Sequence, residues 1–176
     1  MRRRSGAVVA AALLIGAAGC AQGRDYAVPG DVCGVPVKPA LLEPLLPPGK
    51  KLEQTPYASR PAAPRCEVTV DKQGGLTIRG DVTEPGLDLM KEQGDQLHRA
   101  GNPQKIDAGD QGWVSDAMVI AAARCTYQGK PSTFVVEAFP PIKTSDVAKR
   151  REALAAFIKA YLPAAQKAVS CTPGPS

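Results

Sequence analysis

The sequence predicts an α+β fold: a four-stranded, mainly antiparallel sheet with a long C-terminal helix and shorter helices packed on one face, braced by two disulfides. Three observations carry this expectation. Two runs of alternating apolar and polar residues, 66–71 and 76–82, flank Lys72-Gln73-Gly74-Gly75, the composition of a hairpin turn. A mostly apolar run over 117–125 and a second one over 132–139 flank Gln128-Gly129-Lys130-Pro131, another turn. Beyond Pro140 and Pro141, apolar residues recur at helical spacing almost to the end of the chain. Strands grouped in pairs and interrupted by helices place the chain among the α+β architectures.

Taken in order, residues 21–30 show no periodicity and carry Gly23, Pro29 and Gly30, which reads as a flexible tether. A coil of that length reaches roughly 15–20 Å. Pro39 suits the first position of a short helix that turns Leu41, Leu42, Leu45 and Leu46 inward and stops at Pro47, Pro48 and Gly49. Residues 49–65 hold Pro56, Pro61 and Pro64 and read as a long surface spacer.

In the first hairpin Cys66, Val68 and Val70 face inward, followed by Leu76, Ile78, Gly80 and Val82 on the return strand. Thr83 is placed to cap a helix with Glu84 and Pro85 in its first turn, Leu87, Met90 and Leu97 on its apolar side, and a stop at Gly101. Residues 102–111 read as loop. The run over 117–125 is apolar enough for a central strand covered on both faces. Thr144 or Ser145 caps the last helix, with Asp146 favourably placed against its dipole. Its stripe comprises Val147, Leu154, Ile158, Tyr161, Ala165 and Val169, supported by Phe157 and Leu162. Lys149, Arg150, Arg151, Glu152, Lys159 and Lys167 lie mainly on the other side. Pro163 is expected to kink this helix rather than end it, because the apolar period resumes beyond it.

The first twenty residues set the compartment. Arg2, Arg3 and Arg4 form a charged start, residues 7–18 an apolar core, and Ala17, Ala18 and Gly19 a small-residue exit into Cys20. These are the parts of an export signal, and the apolar run falls short of the about 20 residues that a membrane helix needs. Ala17-Ala18-Gly19-Cys20 resembles the lipobox of bacterial lipoproteins. That resemblance implies removal of residues 1–19, lipidation of Cys20, and a place on the outer face of the cytoplasmic membrane. Ala17 departs from the Leu or Val usual there. Ordinary cleavage slightly later would leave Cys20 an odd thiol or discard it.

Removing residues 1–19 from 176 leaves 157, enough for one core, with 31–172 as a single domain and 173–176 as tail. The formal charge falls from +5 to +2 with the three arginines gone, and aromatics make up 5% of the chain. Neither property gives reason to expect nucleic-acid binding. Setting Cys20 aside leaves Cys33, Cys66, Cys125 and Cys171, an even number in an exported chain. Of three connectivities, Cys33–Cys66 and Cys125–Cys171 are favoured, because each staples a terminal segment onto a strand. A zinc site is disfavoured, since no pair has the C-x2-C spacing.

Chemistry is sparsely marked. His98, the single histidine, sits among Gln96, Arg99 and Asp95 on what reads as a solvated helix face. Ser115 beside Asp116 lacks the G-x-S-x-G setting of a nucleophile. Trp113 fits a core position at the mouth of a strand or, less naturally, a recognition surface. Arg150 and Arg151 read as solvated, with attraction to lipid head groups as the functional alternative. No cofactor or metal motif is present. Asp31-Val32-Cys33, Cys66-Glu67-Val68 and Arg124-Cys125, together with the lipobox, resemble small actinobacterial cell-surface lipoproteins of unknown function. The resemblance implies a location and a compact α+β domain, and assigns no ligand site.

The expectation is therefore a membrane-anchored, non-catalytic binding or interaction domain whose partner is an envelope protein or a small ligand. The alternatives are a surface hydrolase using His98 and a purely structural envelope protein. An apolar cleft between the last helix and the sheet would favour binding.

Overall fold

The computed structural model describes residues 23–60, 62–141 and 146–173. The export segment, Cys20, Thr144, Ser145 and residues 174–176 lie outside them. The chain forms β1 (Asp31–Val32), β2 (Val35–Pro36), α1 (Pro39–Leu42) running into a 3-10 turn (Glu43–Leu45), β3 (Leu52–Arg60), β4 (Ala63–Val70) and β5 (Gln73–Thr83). It continues with α2 (Leu89–Arg99), β6 (Gln104–Lys105), β7 (Gln111–Val114), β8 (Val119–Tyr127), β9 (Lys130–Phe139), α3 (Val147–Ala168) and β10 (Thr172–Pro173).

The fold is α+β, but the sheet has eight antiparallel strands where four were expected. Their order is β3-β4-β5-β9-β8-β7-β6, with β10 pairing β8 beyond the end of β7. The four anticipated strands form its centre. The added ones lie outside these four, and the spacer over 49–65 supplies the first of them. Pro56 is tolerated in β3 because an edge strand needs its N–H groups on one side only. On the opposite edge, β6 lies in ground read as loop and β7 in the lead-in to the 117–125 run, both too short to show alternation.

Three hairpin turns share one device: positive φ at both central residues, which matches the twist of the flanking strands. They are Cys33-Gly34 (49° and 83°), Asp71-Lys72 (53° and 60°) and Gln128-Gly129 (50° and 76°). The β4–β5 turn thus sits ahead of Gly74 and Gly75, which lie inside β5. An added Cβ on Gly75 would fall on the Val68 carbonyl, where the ladder slips register.

Helices cover both faces of the sheet, not one. On one face α3 buries Leu154, Phe157, Ile158, Tyr161, Leu162 and Ala165 against Val119, Ala121, Phe134, Val136 and Ala138. On the other, α2 buries Leu89 and Leu97 against Met118, Ile120 and Ala122, with Trp113 partly buried beside them. Alternation along β8 and β9 assigns successive residues to the two cores.

α2 starts five residues later than expected. Thr83 is still paired with Thr133 at the end of β5, and Asp88 caps the helix by accepting from the Met90 and Lys91 amides. Asp146 itself caps α3, accepting from Lys149 N at 3.1 Å. That helix continues through Pro163, while Val147, at its first turn, is exposed rather than part of the buried stripe.

Residues 24–30 are fastened to the domain rather than free. The Asp25 amide donates to the Gly49 carbonyl, the Arg24 guanidinium to Glu43 and the Leu46 carbonyl, and the Tyr26 hydroxyl to the Pro47 carbonyl at 2.6 Å. Disulfides join Cys33 to Cys66 and Cys125 to Cys171, with Cα separations of 6.0 and 5.4 Å. The first ties the β1–β2 hairpin to β4, and the second ties the exit of α3 to β8.

Candidate functional site

Small side chains leave room where α3 crosses the sheet. Toward its N-terminal half the helix fills the space with Leu154 and Phe157, but farther along it presents Ala165 and Ala168. The sheet beneath contributes Ile78, Gly80, Phe134 and Val136, and the β1–β2 hairpin closes one end with Val32 and Val35. A cleft of about 430 Å³ results, within the roughly 300–1,000 Å³ common for small-molecule sites. Gly80 is tightly held: an added Cβ would stand 3.0 Å from both Phe134 and Pro64.

The floor carries a second local adaptation. One step along the ladder from the Arg65–Arg79 pair, Pro64 stands opposite Gly80 without an N–H to offer. The Arg65 guanidinium donates to the Gly80 carbonyl in its place, and to the Pro64 carbonyl at 3.0 Å. A buried carbonyl is thereby satisfied and the strand pair holds despite the proline.

Tyr161 is the one hydroxyl-bearing side chain set into the cleft from α3. It is 4% exposed and stacks on Phe157 with ring centroids 5.0 Å apart. Tyr161 lines the cavity, and its hydroxyl has no hydrogen-bond partner among the described residues. Burial alone pushes its pKa well above the ordinary phenol range, so it stays a proton donor. Tyr57, 47% exposed on β3, stands at the rim.

A second cavity of about 330 Å³ lies on the opposite face, between α2 and the open part of the sheet. Its lining is polar, with Arg79, Asp81, Gln93, Gln96 and Glu137. Glu137 is directly opposite Arg79, whose guanidinium lies 5.1 Å over the Phe139 ring. Desolvation raises the Glu137 pKa, outweighing the opposing pull of Arg79 and Arg65, while Asp81 adds to the rise. A carboxyl whose folded pKa exceeds its unfolded value costs stability as pH rises through that window. Glu137→Gln is therefore expected to raise the melting temperature at pH 7 and leave it unchanged near pH 4. An equal effect at both values would show that ionisation is not the cause.

The residues singled out in the sequence are dispersed. His98 is exposed on α2 and makes no side-chain hydrogen bond or ion pair among the described residues. Ser115 is buried, its hydroxyl donating to the Met118 carbonyl at 3.3 Å. Trp113 packs under α2. Arg150 and Arg151 are not solvated: Arg150 donates to the Asp116 carbonyl at 2.6 Å, and Arg151 pairs with the Asp116 carboxylate at 2.5 Å and with the Asn102 carbonyl. Arg150 stands four residues before Leu154, so helical spacing put it on the buried side. Among the described residues, no three His, Cys, Asp or Glu side chains gather as metal ligands.

Fold and cavity together define a disulfide-braced α+β domain with an apolar cleft under its C-terminal helix. No protein-family profile, curated protein or solved structure matches the chain. Two disulfides are the chemistry of an oxidising compartment, and no helix among the described residues is long and apolar enough to cross a membrane.

Proposed function

We propose that this is an exported, lipid-anchored, non-catalytic binding domain whose small-molecule ligand occupies the cleft between α3 and the sheet. The observation that carries the reading is the cleft itself: concave, mainly apolar, and lined by the largely buried ring of Tyr161, whose hydroxyl has no partner among the described residues. Close packing is the rule inside proteins, so a space of this size framed by Gly80, Ala165 and Ala168 is better accounted for by an occupant than by loose packing. Concavity favours a small ligand over an envelope protein, which would need a broader surface.

The anchor rests on residues 1–20 and on the two disulfides. With residues from Arg24 onward fastened, only residues 21–23 would separate a lipidated Cys20 from the domain. Such a segment spans about 10 Å when extended, so the domain would ride close to the membrane surface. Lipid attachment of more than one chain gives stable anchoring.

Two substitutions test the reading in the native host. Cys20→Ala is expected to release the protein from the membrane fraction; retention at high salt would refute the anchor. Ala168→Trp places an indole at the mouth of the cleft from an exposed position on α3, so the core is untouched. Native mass spectrometry is expected to find a bound species on the Ala168 protein and none on the Trp variant. A bare Ala168 protein would count against the reading.

A further inference from the structure

We infer that the occupant of this cleft is an uncharged, mainly apolar molecule of acyl-ester type, seated with its chain against the sheet and its carbonyl oxygen accepting a hydrogen bond from the Tyr161 hydroxyl. The inference rests on the cleft being the binding site and specifies the chemistry that fits it.

Three features of the cleft select this class. The side chains that alternation turns toward α3, among them Ile78, Phe134 and Val136, are hydrocarbon. Arg65, the charged residue at the rim, belongs to the alternate set on β4, and its guanidinium is engaged by the Pro64 and Gly80 carbonyls. It also acts on Glu137, across the sheet from the cleft. A buried charge on the ligand would therefore lose its hydration without gaining a counter-ion.

The second feature is Tyr161. Tyr161 is 4% exposed and its hydroxyl has no partner among the described residues, so a ligand that displaces water from the cleft must offer this protonated donor an acceptor. A plain hydrocarbon would leave it unpaired, and a carbonyl oxygen satisfies it. The third is shape. Phe157 stacks on Tyr161 and fixes the ring from behind, so the hydroxyl is held in place for the ligand.

The test uses methyl decanoate and decanoate, matched in chain length and differing in charge. Both are titrated calorimetrically into the exported full chain carrying Cys20→Ala, so that no acyl chain of its own competes. The wild-type cleft is expected to bind the ester and to bind the ionised acid more weakly at pH 8. Tyr161→Phe keeps the ring and the stacking, and among the described residues the hydroxyl has no partner to lose, so the melting temperature should hold. Its affinity for the ester is expected to fall about three- to tenfold, the loss of one neutral hydrogen bond.

Unchanged ester affinity in Tyr161→Phe, tighter binding of decanoate than of the ester, or no binding of the ester at all would each overturn the inference. In those cases the cleft reading still stands or falls by the species seen on the native protein. Ester binding that survives in Ala168→Trp would overturn both, because the ligand would then lie elsewhere.

Discussion

Replacing Cys125 and Cys171 together with alanine is expected to lower the unfolding free energy by about 4 kcal/mol, the chain-entropy value for a loop of this length. The bridge spans a sequence separation of 46 residues, enclosing all of β9 and α3. Both cysteines are buried, Cys125 in β8 and Cys171 immediately after α3. Alanine avoids burying an unpaired hydroxyl, so the loss reports the cross-link and a small void. The position matters as much as the loop length. Ser170 has a positive φ of 59°, and beyond it the Cys171 amide donates to Gln166 while β10 pairs with Thr126 and Cys125. The bridge pins a helix end that supplies one wall of the cleft through Ala165, Ala168 and Val169. Urea denaturation of the variant against the oxidised parent measures the loss. A change below about 1 kcal/mol would mean that β10 and the helix contacts already hold this end, well short of the 2–5 kcal/mol typical of native bridges.

The strands β4 and β5 were legible because each keeps one face buried. Period-two alternation in β4 and β5 follows directly from that burial, and it marks Cys66, Val68, Leu76 and Ile78 correctly as inward. Edge strands carry no such signature. Pro56 removes a donor that β3 does not need, so a residue that argues against a central strand says nothing against an edge. The second helical layer was written in β8: the run Met118 to Ala123 is apolar on both alternating sets, which only a covering on both faces explains. Expecting helices on one face overlooked that consequence.

The candidate site was harder to read for a different reason. Gly80 on β5 and Ala165 and Ala168 on α3 are far apart in sequence, and each is unremarkable where it stands. Only the crossing of α3 over the sheet turns three small residues into a cleft. Tyr161 was visible as part of the apolar stripe, but spacing cannot tell whether a buried hydroxyl has a partner. Arg150 is the opposite case. Its charge suggested solvent, while its position in the helical period pointed inward to the Asp116 carbonyl.

Phe134 is where stability and binding meet. It is fully buried in β9, lies under α3, and borders both Gly80 and the cleft. Phe134→Ala is expected to cost about 3–5 kcal/mol, the transfer term of a buried ring plus the cavity left behind. Collapse around that cavity is opposed on two sides. Gly80 has no side chain to move inward, and the α3 wall is held at its exit by the Cys125–Cys171 bridge. The lost volume should therefore open into the cleft rather than close up, placing the cost toward the upper end of the range. The same enlargement gives a bulkier apolar ligand room, and such a ligand would recover part of the lost stability by binding the folded state alone. Thermal denaturation of the variant with and without a saturating apolar ester separates the two effects. A large loss that the ester partly restores places Phe134 at the floor of a working site; a large loss that no ester restores would assign it to the core alone.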